Sequence, residues 1–195
     1  TIWSGVLVVA LAAVSYYPLA AITSRAGASG GLDLDGQSHV ARNAPSEFAA
    51  IQWVRDNTAH SAVVVEAAVV PCGNEPNGCH SYTDAARIAS STGRPTIIGW
   101  LGHERQWRNT RVWVDLDRRM NDVRTIFETT DAAEARRLLA RYDADYVVVG
   151  PRERNAYGVQ GEAKFAEIGE PMFTDATPGQ ELTVYRLFPS LEVDA

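Results

Sequence analysis

The stretch AVVVEAAVV (Ala62–Val70) decides the fold. Its β-branched residues run on without polar alternation, the pattern of a strand covered on both faces rather than one half-exposed to water. Two later stretches read the same way: RPTIIGW (94–100), ending at Gly99, and DADYVVVG (143–150). Helical periodicity fills the intervals. Pro45 and Ser46 open SEFAAIQWVRDN, where Phe48, Ile51 and Val54 share a face with Trp53 alongside. TDAARIASSTG reads as a short helix closed by Gly93. In VDLDRRMNDVRTIFETT, Leu116, Met120, Val123 and Phe127 form an amphipathic stripe. Asp131 caps a further helix, with Glu134 three residues on and Ala135, Leu138, Leu139 and Tyr142 buried. A polar segment, PRERNAYGVQGE, then precedes a helix at AKFAEIG, the segment EPMFTD and a last strand, ELTVYRLF, whose alternation suits an edge or half-exposed strand. Helices alternating with strands predict a layered α/β domain with a mainly parallel or mixed sheet: at least three mainly parallel central strands and an antiparallel hairpin at one side. Ligands of such sheets meet the carboxyl ends of the strands, here Glu66, Gly99-Trp100 and Gly150-Pro151.

Upstream, Ile2–Ile22 (IWSGVLVVALAAVSYYPLAAI) carries no charge and is long enough to cross a hydrocarbon layer of about 30 Å as a helix. A cleaved signal peptide has a basic leader and a shorter apolar core, and a buried globular helix has a polar face; this run has neither, while Tyr16 and Tyr17 suit a membrane interface. The expected organisation is a transmembrane helix at 1–24, a Gly/Ser/Asp-rich linker at 25–44 and a soluble domain at 45–195. The start at Thr1 without Met leads us to expect the last helix of a polytopic protein. Arg25 alone does not fix orientation.

The chain is 46% hydrophobic and 22% charged, which suits a globular domain. Its net charge of −6, with no basic run, lacks the electrostatic footprint of nucleic-acid binding. Cys72 and Cys79 bracket GNEPNG, whose turn formers bring them within bonding distance, and a small disulfide loop points to an extracytoplasmic compartment. A zinc site with His80 and two unpaired thiols are the alternatives.

The densest polar constellation is GWLGHERQWRN, read as a long loop. Trp100, His103, Glu104, Trp107, Arg105 and Arg108 would form a carbohydrate-like or anionic head-group site by ring stacking and charge-assisted hydrogen bonds, or would serve as packing anchors. No second His follows His103-Glu104 at zinc-protease spacing, so no metal site is read there. Glu66, ending an apolar strand, needs a partner if buried, and Arg87 or Arg94 is near enough in sequence. A catalytic role for Glu66 would need a second acid such as Glu104 or Asp122. Arg152, Glu153, Arg154 and Tyr157 follow the third strand without phosphate-loop glycine spacing and read as a charged helical cap over the strand ends. No residue is assigned as catalytic.

Taken in order, YPLAA, LDG (34–36), AAIQWVRDN, VVVEA, RIASSTGRPTIIGW, GHERQW, DVRTIF, YDADYVVVG, ERNAY, KFAEIG and TVYRL resemble the C-terminal part of the uncharacterised YYY-type polytopic membrane proteins, which are similar to GT-C lipid-linked-sugar glycosyltransferases. The resemblance spans about Tyr17 to Leu187 and is most specific at RIASSTGRPTIIGW and GHERQW. It implies an extracytoplasmic α/β domain at the cell membrane, partnered by the bilayer, by the remaining polytopic portion or other membrane subunits, and by a lipid-linked sugar. No cofactor is implied in this chain, any divalent metal belonging to the membrane portion with the catalytic loops. The matching site positions are Glu66, Arg87, Trp100, His103, Glu104, Trp107, Asp122 and Arg154, beside Thr92, Gly93, Gly99, Gln106, Tyr146, Gly150, Glu153 and Tyr157. PCGNEPNGCH (71–80) departs from the family pattern as an insertion. A non-catalytic interaction or scaffold subunit is the competing expectation.

Overall fold

A computed structural model describes residues 2–28, 35–72, 79 and 81–189. The chain divides after Asn43 into two compact units. The first holds α1 (Ile2–Ala28) and the short α2 (Ser38–Asn43). Over Ile2–Arg25, α1 is long and apolar enough to cross a membrane, and none of that surface is buried. Helix therefore continues past the expected boundary at 24, and α2 occupies part of the expected linker. The central stretch of that linker, 29–34, lies outside the described residues.

In the second unit, α3 (Pro45–Asn57) starts on a proline and buries Ala50, Ile51 and Val54. β1 (Val63–Val65) leads through a long connection to α4 (Arg87–Thr92), α5 (Leu101–Trp107), a 3₁₀ turn at Thr110–Val112, α6 (Trp113–Glu128) and α7 (Ala132–Arg141). β2 (Ala144–Val149), α8 (Pro151–Tyr157), α9 (Phe165–Ile168), β3 (Gly169–Asp175) and β4 (Leu182–Leu187) complete it. The sheet is mixed, in the order β1-β2-β4-β3. β1 runs parallel to β2, with Val65 opposite Val147, whereas β2–β4 and β4–β3 are antiparallel. Because side chains alternate across a strand, Val65, Val147 and Val149 join the main core with Leu116, Ile126 and Leu138 of α6 and α7. The opposite face carries Tyr146, whose ring meets Trp53 of α3 at 6.2 Å.

The α/β class and the closing hairpin agree with expectation, but the second central strand does not form. Ile97 and Ile98 are buried as strand residues would be. Their segment, however, pairs with β1 through one bond, from Val64 N–H to the Pro95 carbonyl (2.9 Å), and Arg119 donates to the Ile97 carbonyl (3.1 Å). β1 itself stops at Val65. Beyond it Ala67 N–H donates to Glu153 (2.8 Å) and Ala68 N–H to the Tyr157 hydroxyl (3.1 Å), so α8 side chains replace a neighbouring strand.

Candidate functional site

The expected long loop around GWLGHERQW is helix α5, and its turns put the predicted residues on one wall of an open cleft. Trp100, the residue before α5, and His103 and Trp107 within it lie at the three- and four-residue spacings that share a helix face. The His103 ring stands 5.1 Å from Trp100 and 5.2 Å, edge-on, from Trp107. Tyr82 stands over the same ring at 4.6 Å and reaches Trp100 at 5.7 Å. The cleft measures about 520 Å³. Its remaining lining comes from Ala86, Ala89 and Ser90 at α4, from Thr96 and Gly99, and from Glu104 and Arg108.

Each ring is held differently. The Trp100 indole donates to the Ala85 carbonyl (2.9 Å), which fixes its plane. Trp107 is 77% exposed and Tyr82 83% exposed, so both present aromatic surface to solvent. His103 Nδ1 has no hydrogen-bond partner among the described residues. Glu104 accepts from the Gly99 amide (2.8 Å) and pairs with Arg108 (3.1 Å), locking the first turn of α5 to the segment before it.

Glu66 and Arg87 sit behind this cleft rather than in it. Glu66 is 5% exposed, and neither Arg87 nor Arg94 is its partner. Its carboxyl accepts the first amides of α4, from Ile88 (2.7 Å) and Ala89 (2.6 Å). The residue before α4, Ala86, is left-handed (φ 55°) and has no side-chain cap of its own; the distant Glu66 takes that place. Burial pushes the Glu66 carboxyl up to about 8, against the lowering effect of those two amides. Arg87 pairs with Glu47 (3.0 Å) and Asp84, and Arg152 joins the same two acids (2.7 and 2.9 Å). Arg94, 3% exposed, donates to the carbonyls of Arg55, Thr58 and Thr92 (2.7, 2.7 and 2.9 Å). α4 is thus tied down at both ends, and α4 is a wall of the cleft.

The other two predicted positions serve elsewhere. Asp122 binds Arg141 (2.8 Å) and the Tyr142 hydroxyl (2.5 Å), joining α6 to the end of α7. Arg154 grips Glu162 through two nitrogens (2.8 and 2.6 Å) and also donates to the Glu181 carbonyl, consistent with a charged cap at α8. Cys72 and Cys79 are bonded, with Cα atoms 5.6 Å apart, and both cysteines of the described region are accounted for. The bond fits an oxidising compartment. His80, the proposed third zinc ligand, lies outside the described residues, as do 73–78 of the insertion. Among the described residues no group of three metal-ligating side chains is present.

Sequence reasoning missed Tyr82, which follows the disulfide loop and carries no local signal of proximity to His103. It also missed the contribution of α4, whose Ala89 and Ser90 look like filler in a linear reading. The fold and site together define a mixed α/β domain with an aromatic cleft, joined to an apolar helix of membrane-spanning length. No protein-family model matches this chain, and no curated protein matches it.

Proposed function

We propose that this chain is the extracytoplasmic domain, with its preceding membrane span, of an integral membrane protein resembling the YYY-type and GT-C lipid-linked-sugar glycosyltransferases, and that its cleft shapes an acceptor or glycan site. The observation that carries this reading is the run of Trp100, His103 and Trp107 rings along one open cleft. Pyranose rings present C–H faces that stack on indoles, while their hydroxyls require hydrogen-bonding groups at the rim. Arg108 and Ser90 supply polar groups at that rim, and a guanidinium suits a phosphate linked to the sugar. Chemistry would reside in the membrane portion; here the protein binds and orients. The full chain in detergent should show saturable Trp fluorescence changes with polyprenyl-phosphate sugars or free glycans, and Trp107→Ala should weaken binding about tenfold. No response at millimolar ligand would overturn the proposal.

A second reading, a non-catalytic interaction or scaffold subunit, is favoured by one observation. The carboxylates at the strand ends, Glu66 and Glu153, are both engaged with main-chain amides. A stoichiometric partner on gentle purification from native membranes would support it.

A further inference from the structure

The corner where α5 passes into α6 carries a surface that the cleft does not use. Among the described residues of the second unit, seven large apolar side chains are exposed, and three of them, Trp107, Trp113 and Val114, fall within eight residues. Trp113 and Val114 do not line the cleft. From Arg105 to Val114 there are three arginines and no acid, and from 104 to 119 five arginines stand against three acids, in a chain whose net charge is −6. Arg105 is positioned by Asp117 and lies over the Trp113 ring at 5.7 Å, while the Trp113 indole donates to the Arg105 carbonyl (3.3 Å). Arg111 is exposed and has no ion-pair partner among the described residues.

We infer that this corner docks on a lipid bilayer with anionic head groups. Trp is the side chain that settles at the boundary between head groups and acyl chains, because its ring is apolar and its N–H polar. Exposed Val114 adds apolar area; Arg105, Arg108, Arg118 and Arg119 are each paired with a neighbouring acid, so Arg111, unpaired among the described residues, is the group that attracts anionic head groups near the surface. The same chain carries a helix of membrane-spanning length, so a bilayer holding that helix supplies lipid at high effective concentration, and a weak surface site suffices. Charge decides against a generic apolar partner: between 104 and 119 the arginines outnumber the acids by two, Arg111 is unpaired among the described residues, and this indole-bearing corner of an otherwise acidic chain complements a negative surface.

The test uses the full chain in nanodiscs of plain or brominated phosphatidylcholine, with and without phosphatidylglycerol. Subtracting the spectrum of Trp113→Phe isolates the Trp113 signal. Bromination should quench that signal about twofold in anionic discs, less in zwitterionic ones, and not at high salt. Arg111→Glu keeps the indole and should abolish the anionic-lipid dependence. A Trp113 signal indifferent to bromination would overturn the inference, as would cross-linking from position 111 to a protein subunit or to a second copy in native membranes. Quenching unaltered by Arg111→Glu would overturn the head-group assignment. Trp113 lies outside the cleft, so loss of glycan binding in Trp107→Ala and loss of lipid contact here are separate results.

Discussion

Among the buried ionisable residues of the second unit, Glu66 and Lys164 shift its stability with pH in opposite directions. Glu66 has its folded pKa raised, to about 8 from an ordinary 4.5, because burial disfavours the carboxylate. The native state then holds a proton that the unfolded chain has released, so this contribution is fully present below about pH 4.5 and is lost as pH rises through about 8. Glu66→Gln should match wild type near pH 5 and exceed it above pH 8 by a few kcal/mol, measured by denaturant unfolding across pH. Lys164, 2% exposed, is the converse case. Burial lowers its ammonium to about 8; it donates to the carbonyls of Phe127 (3.1 Å) and Gly161 (2.6 Å) and lies over the Phe165 ring at 4.2 Å. The unfolded chain binds the extra proton between about 8 and 10.5, so stability should rise with pH through that window, and Lys164→Met should remove the rise. Neither role is visible in a linear reading. Glu66 announces itself as a lone acid in an apolar run, but its partners are amides 22 and 23 residues away.

At the scale of elements, the cleft depends on short helices that cannot stand alone. α4 has six residues and α5 seven, lengths at which helix formation in water is unfavourable without tertiary support. Glu66 holds the first amides of α4, and Arg94 binds the carbonyl of its last residue together with two carbonyls at the end of α3. Arg94→Lys replaces a planar fork by a point charge that cannot reach all three, and should destabilise by about 2 kcal/mol or more in chemical unfolding. It should also weaken ligand binding in the cleft, since α4 is a wall. Gly161→Ala should cost several kcal/mol, because the added methyl would meet the Phe127 and Thr129 carbonyls at 2.1 and 2.6 Å, and main chain cannot step aside. Thermal melting of that variant provides the check. Helix content was legible here from spacing: the α6 and α7 stripes, the Asp131 cap (2.8 Å to Ala133 N–H) and the Gly93 stop (φ 72°) stand as read. The Arg94–Trp100 strand was not, since apolar burial is common to strands and to extended segments satisfied by side chains.

For the whole molecule, the division after Asn43 implies that the α/β unit carries its own core. A fragment beginning at Ala44 should fold in water without detergent, with a cooperative melt; aggregation of that fragment would contradict this. The disulfide closes a loop seven residues long in separation, and Cys72→Ser with Cys79→Ser should lower stability by roughly 2 kcal/mol by relaxing the unfolded chain less tightly tethered. Sequence by itself determined the apolar helix, the α/β class and the amphipathic helices, because these depend on local composition and on periods of two and 3.6 residues; Trp100, His103, Glu104 and Trp107 stood out by composition alone, in a stretch read as a loop. Only tertiary structure decided that the Arg94–Trp100 segment stays out of the sheet, that α4 lines the cleft and Tyr82 meets its rings, that Asp122 joins α6 to α7, and that Arg154 holds Glu162 and the chain entering β4. Those outcomes depend on which distant groups satisfy buried main-chain donors and acceptors, a pairing that sequence spacing does not encode.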